Sequence, residues 1–318
     1  MIKDYKVNLV SKWVKYNDYE IVPVEYDYYI RPVKNSKYTI YDPFEVSNEI
    51  LKDILNLGKY SVDIHIPFDD YKYQSIEYKC KNHELQQMVL DFVKKYGLIG
   101  EINDKSLNDY TTNEMVEYNE RGLEKKISQK EYVSRYFVFE DFSKYSEASK
   151  IFFYDKLIGA KSPWYQMGNG GMKGLAVAKG YTEKIFDILL FAEETYNFAH
   201  IIEQYLNEDD FGLKGMYEDI IISYKMQPVE TRYFIDDSEN IAIRYCWDSL
   251  KSAIRTMLRL NETSEKREIK LCKYCWKPFI AENLKAEYDT PQCRNKANVY
   301  KSRAKNKPDV EENWNVRW

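Results

Sequence analysis

The chain has 318 residues, enough for one large domain or two ordinary ones, and its 44% hydrophobic and 31% charged residues exclude a disordered or fibrous chain. No run approaches the roughly 18 uninterrupted apolar residues that span a bilayer, and MIKDYKVNLVSKW lacks an apolar signal core, so a soluble cytoplasmic protein without membrane contact is expected. A formal net charge of −4 argues against a general polyanion binder.

In chain order, the first 80 residues read as short strands. EIVPVEYDYYI (20–30) alternates loosely, YTIYDPF (38–44) is β-branched and aromatic, and SVDIHIPF (61–68) sets Val62, Ile64 and Ile66 against Asp63 and His65. Between the last two, EVSNEILKDILNLG (45–58) predicts a short helix closed by Gly58. HELQQMVLDFVKKYG (83–97) places Leu85, Met88, Val89, Phe92 and Val93 on one helical stripe and stops at Gly97. Residues 99–130 are polar and charged and read as a loop or a poorly ordered insertion, helix is expected again over 131–160, and 162–174 is a glycine-rich break. A long amphipathic helix follows over 180–206, then a strand or arm at 227–236 and a helix over 240–260.

Little along the body suggests catalysis. The glycines at 168, 170, 171 and 174 miss both the dinucleotide and the Walker spacing and read as a plain loop. His65, His83 and His200 lie far apart and beside no nucleophile motif. The pairs Asp69–Asp70, Glu193–Glu194, Asp209–Asp210 and Asp236–Asp237 read as solvated charge, reproducing no nuclease spacing. A non-enzyme is therefore expected. The 30 tyrosines, with many lysines, asparagines and isoleucines, follow from an AT-rich coding sequence; as base-stacking platforms they would have to cluster on one basic face.

The charge is divided unevenly. Residues 266–318 hold 13 Lys/Arg against 7 Asp/Glu, whereas the first 265 hold 34 against 44. An acidic body with a basic appendage suits one small nucleic-acid-binding module. Three of the five cysteines fall in that appendage, and the odd count argues against a disulfide framework.

Cys272 and Cys275 form a C-x2-C pair that sets two thiolates on one tight turn, and Cys293 adds a third. Zn²⁺ closes tetrahedrally in structural sites and needs a fourth ligand. Asp289 stands where a second pair would begin and is the expected carboxylate ligand, with water as the alternative. Thr290 is a good N-cap and Pro291 suits the first helical position, so a helix should start there with Cys293 in its first turn. On that helix Cys293, Ala297, Tyr300 and Ala304 share one face, suited to packing on the knuckle and on Phe279. Arg294, Lys301 and Lys305 flank it on one side, Lys296, Arg303 and Lys307 on the other. These cations can straddle a phosphate backbone, and Asn295 and Asn298 can hydrogen-bond base edges or sugars.

The same segment resembles the C-terminal zinc finger of the CGNR-type, ABATE-domain family of predicted bacterial transcription regulators and related uncharacterised Firmicute proteins. Cys272, Cys275, Phe279, Tyr288, Cys293, Arg294, Asn295, Lys296 and Ala297 stand in matching places over about 35 residues. The departures are Trp276, where glycine is usual, and Asp289, where the third cysteine usually stands. FVKKYGLIG (92–100) and the helix carrying Ser249, Leu250 and Ala253 are weaker echoes. The resemblance implies a mixed α/β body, with a small-molecule or protein ligand to sense, joined to a DNA-binding finger.

The expected architecture is α+β: a mixed body over 1–265 with short strands and then mostly helices, a zinc finger (knuckle plus basic helix) over 266–307, and a tail over 308–318. Trp314 and Trp318 in the tail could dock back on the body. The expected function is a nucleic-acid-binding regulator, with DNA favoured over RNA. The alternative is an interaction protein of a mobile element or phage-defence system in which zinc is a structural staple. An enzyme acting on nucleic acid is a third and weaker reading.

Overall fold

The structure is a computed structural model and describes residues 7–8, 11–64, 76–102, 115–120, 123–140, 163, 176–223, 230–235, 241–247, 249–263, 268–281, 283 and 285–305. It is α+β, with strands leading, helices following, and a cysteine knuckle with its own helix at the C-terminal end. The strands are β1 (Val7–Asn8), β2 (Trp13–Tyr16), β3 (Tyr19–Val24), β4 (Asp27–Pro32), β5 (Tyr38–Tyr41), β6 (Met115–Glu120), β7 (Leu123–Ser128), β8 (Glu183–Lys184), β9 (Glu230–Ile235), β10 (Ile241–Cys246), β11 (Glu268–Leu271) and β12 (Pro278–Ala281). The helices are α1 (Ser47–Asp63), α2 (Ile76–Lys79), α3 (His83–Tyr96), α4 (Gln129–Ser134), α5 (Ile185–Asn207), α6 (Phe211–Ser223), α7 (Leu250–Glu262) and α8 (Pro291–Lys305). The sheets are small: β3–β4–β8, β1–β10–β9, and the two-stranded pairs β2–β5, β6–β7 and β11–β12.

Several sequence expectations are corrected. The segment 20–30 is a hairpin, because Glu25 adopts a left-handed φ of 54° and turns β3 back into β4. Residues 61–63 finish α1 instead of opening a strand, and 65–68 lie outside the described residues. The stretch read as a loop at 99–130 contains the β6–β7 hairpin and the start of α4, whose Ser128 hydroxyl accepts from the Glu131 N–H. The helix expected over 240–260 divides into β10 and α7, separated by Ser249, whose Oγ accepts the Ser252 N–H as N-cap. Ile-Ala-Ile is β-branched enough to extend, and a short apolar run does not by itself distinguish strand from helix. Of the helix expected over 131–160 only its start is described; the glycine run and the tail tryptophans lie outside the described residues.

Helix α3 ends as expected at Gly97, whose φ of 91° is left-handed and whose α-carbon lies against the Val14 carbonyl. The other glycine has a different role. Gly58 lies inside α1, and a Cβ there would meet the Ala192 carbonyl oxygen of α5 at 2.1 Å. It permits two helices to approach closely and does not terminate one. Around that contact the core collects Ile50, Leu51, Ile54 and Leu55 of α1, Val89 and Val93 of α3, Ile188, Leu189 and Ala192 of α5, and Ile254 of α7. Trp13 is fully buried among them, its indole N–H donating to Leu98 O at 2.9 Å. Among the described residues, no helix is long and apolar enough to cross a membrane.

Candidate metal centre

Local hydrogen bonding builds the knuckle. β11 and β12 pair antiparallel from Glu268–Ala281 to Leu271–Pro278, and the turn between them carries Cys272 and Cys275. Cys272 N–H donates to Lys277 O at 3.0 Å and Trp276 N–H to Cys272 O at 2.8 Å, which closes the turn. Trp276 takes a left-handed φ of 59° to do so. The loop returning from β12 is tied by Lys273 N–H to Glu287 O at 3.0 Å and leads into α8. There Thr290 caps as expected: its hydroxyl accepts the Cys293 N–H at 3.2 Å and its carbonyl the Arg294 N–H at 3.1 Å. A small core of Cys272, Phe279 and Ala281, flanked by Tyr274, Ala286 and Tyr288, supports the turn.

The result is a three-sulfur cluster. The Sγ atoms of Cys272, Cys275 and Cys293 all lie within 4.8 Å of one another, and those of Cys275 and Cys293 are 3.8 Å apart. A tetrahedron with zinc–sulfur bonds of about 2.3 Å has a sulfur–sulfur edge of about 3.8 Å, so the thiols fit that ion. Burial pushes the Cys272 thiol up, but N–H donors from Asp289, Cys275 and Tyr274 outweigh it and hold the thiol below its ordinary value. Cys275 is pushed up to about 11 by burial and by sharing its surroundings with the other two thiols, despite a donor from the Lys277 N–H. The three thiols oppose one another's ionisation, and a bound cation would offset that repulsion.

Asp289 sits beside the cluster in a different posture from the one the sequence suggested. Its backbone N–H faces the Cys272 sulfur, while its carboxylate lies 3.5 Å from Lys52 Nζ on α1 and is not one of the clustered ligand atoms. Lys52 was missed in the sequence because nothing local links it to the knuckle. Tyr274 was missed too, although its position between the two thiols was a usable signal: its ring stacks on Tyr300 of α8 at 6.0 Å.

The α8 residues expected to meet nucleic acid are placed as follows. Ala297 is buried and Cys293 half-buried, whereas Arg294, Asn295, Lys296, Asn298, Lys301 and Arg303 are all exposed. Lys296 Nζ lies 5.9 Å over the Tyr274 ring. The side chain of Lys305 and the whole of Lys307 lie outside what is described.

The knuckle is docked on the body. Ile269 of β11 is buried in the main core, and Leu271 N–H donates to Glu203 Oε1 of α5 at 3.0 Å. Elsewhere the described acidic pairs serve structure. Glu193 accepts from Ser61 and Lys79, Glu194 pairs with Arg255, and Asp210 caps α6 through the Gly212 and Leu213 N–H groups. His200 stacks on Tyr196 at 6.1 Å and lies 3.7 Å from Glu203. No family model matches the chain, and neither a curated protein nor a solved structure does.

Proposed function

We propose that the protein is a nucleic-acid-binding regulator, with DNA favoured over RNA, which grips phosphates with α8 while zinc fixes the N-terminus of that helix. The observation carrying this reading is the exposure of Arg294, Lys296, Lys301 and Arg303 on a helix attached to the rest of the chain through Cys293 and Ala297. Cations held in this way recruit polyanions by releasing counterions, which makes binding steeply salt-dependent. The short resemblance to finger-bearing regulators points the same way. The test is fluorescence anisotropy of duplex DNA and single-stranded RNA against the full chain at two salt concentrations, beside the Arg294→Ala/Lys301→Ala double variant. Binding that weakens with salt and is lost in the double variant supports the reading; affinity unchanged in the variant sinks it.

A second reading has its own observation. The burial of Ile269 in the main core and the Leu271–Glu203 bond make the knuckle part of the body's packing, as a structural zinc staple in an interaction protein would be. Under that reading the wild-type chain binds neither nucleic acid in the same titration, and Zn²⁺ removal acts on stability alone.

A further inference from the structure

Helix α6 is rich in apolar residues, yet from Phe211 to Ile222 not one of them is fully buried. It packs on α5, where the Lys214 ammonium lies 5.2 Å over the Tyr205 ring, and its Tyr217 and Ile221 are half-buried. A helix of this length is marginal in water unless an apolar side is packed against a partner. Its two most exposed apolar side chains, Phe211 at 92% and Ile222 at 73%, stand at opposite ends of one side. That side runs Phe211, Gly215, Glu218, Ile222 at helical spacing, with Lys214 at the margin next to Glu218. A Cβ at Gly215 would meet nothing within 4 Å, so no neighbour among the described residues calls for a glycine that weakens the helix. Its place at the middle of the exposed side leaves room for another helix to come close.

We propose that this side of α6 is a self-association surface, on which α6 of a second copy packs antiparallel about a two-fold axis level with Met216 and Tyr217. The side is its own complement under that operation, as an isologous contact requires. Each Phe211 meets Ile222 of the partner subunit, and each Lys214 stands beside the partner subunit's Glu218 on the same flank. Asp209 and Asp210 are exposed just ahead of the helix and Glu218 and Asp219 on it, and this negative charge disfavours nucleic acid or anionic lipid as the occupant. Phe211, Ile222 and the stems of Lys214 and Glu218 offer roughly 500 Å² per copy, so the contact buries about 1,000 Å² in all, the lower limit for a specific interface. A dimer of micromolar affinity is therefore expected. The inference goes beyond the reading of α8 and does not depend on it.

The test is sedimentation velocity of the full-length zinc-loaded protein from about 1 to 200 μM, a range that brackets micromolar self-association. The wild type is expected to pass from monomer to dimer across it. Lys214→Glu and Glu218→Lys each set like charges together at both Lys214–Glu218 contacts and should weaken the dimer about tenfold or more. Mixed in equal amounts, the two variants regain opposite charges at both contacts and should form a heterodimer close to wild-type affinity. Phe211→Ser/Ile222→Ser should stay monomeric with an unchanged melting temperature, since both side chains are exposed in the monomer. A wild type that remains monomeric throughout overturns the proposal and leaves the face to a different partner. Charge variants that dimerise as tightly as the wild type, or a mixture no tighter than its components, also overturn it. So does a dimer that survives Phe211→Ser/Ile222→Ser, which would belong to another surface.

Discussion

Lys52 on α1 holds the Asp289 carboxylate at 3.5 Å while the backbone N–H of the same aspartate faces the Cys272 sulfur. Asp289 thus links body and cysteine cluster, and a bound Zn²⁺ would have to compete with Lys52 for its carboxylate. The ion pair alone is worth little, because the Lys52 side chain is nearly half exposed and such pairs contribute well under about 1 kcal/mol. With Asp289 as the proposed fourth ligand, Asp289→Ala should weaken zinc binding by roughly tenfold or more, and Lys52→Ala should leave it equal or tighter. Competition titrations with a chromophoric chelator measure both. If neither substitution changes zinc affinity, water completes the shell and Asp289 serves only to tie the finger to α1.

Metal removal reaches further than the finger. Ile269 sits in the main core on a strand that leads directly into Cys272, so loosening the knuckle releases an apolar side chain of the body as well. A strong chelator, or Cys275→Ser with Cys293→Ser, should lower the melting temperature of the main transition by more than about 5 °C. Calorimetry with and without chelator checks this. A main transition that stays put while only a small tail signal disappears would show that knuckle and body are energetically separate. The same geometry argues against dividing the chain at residue 265 for binding studies, since the cut would remove β11 from the core.

Gly58 tests the helix pair beneath the site. A Cβ at that position would lie 2.1 Å from the Ala192 carbonyl oxygen and 2.8 Å from the Tyr196 Cβ, and the first of these is backbone that cannot rotate away. Gly58→Ala should therefore cost roughly 3 kcal/mol or more, although alanine is the better helix former at an unhindered position. Urea unfolding of the variant is the measurement. A neutral or stabilising result would mean that α1 and α5 are spaced more widely than described.

Features governed by near neighbours were readable from the sequence. The C-x2-C pair, Cys293, Thr290 and Pro291 announce the knuckle and the start of α8 because metal-ligand spacing and capping are local properties. Gly97 ends α3 for the same reason, whereas its N-cap, Asn82, emerges only in the structure. Gly58 misled because a glycine in a helical pattern reads as a stop unless the partner helix is known. The β6–β7 hairpin was hidden by its charge, as Glu117, Glu124, Lys125 and Lys126 gave no apolar alternation. Lys52 and Glu203 reach the knuckle only through the tertiary fold, so no spacing could have indicated them.

Glu183 supplies a pH test independent of the metal. Its fully buried carboxylate accepts the N–H groups of Ile99, Gly100 and Glu101 at 2.8, 2.5 and 3.0 Å and the Tyr181 hydroxyl at 2.6 Å. Burial nevertheless lifts it to about 7 from its ordinary 4.5, with the charge of Glu101 adding to the rise and the Tyr181 and backbone donors opposing it. Asp187, in the first turn of α5, is likewise raised to about 7, by burial and then by Glu101, with Lys251 and Lys184 opposing. Between pH 4.5 and 7 the folded protein keeps a proton on Glu183 that the unfolded chain releases, so this group's contribution to stability falls as pH rises through that window and is level above it. The loss is on the order of 3 kcal/mol for Glu183 alone. Glu183→Gln offers one oxygen instead of two to the four donors, and so should be less stable than wild type throughout. Its stability should also vary less steeply between pH 5 and 7, because the group at 183 no longer titrates there. Urea unfolding of both proteins at pH 5, 6, 7 and 8 gives the comparison, and the zinc thiols cancel in the difference. Parallel curves for the two proteins would show that Glu183 is ionised throughout the window, its four donors outweighing the cost of burial.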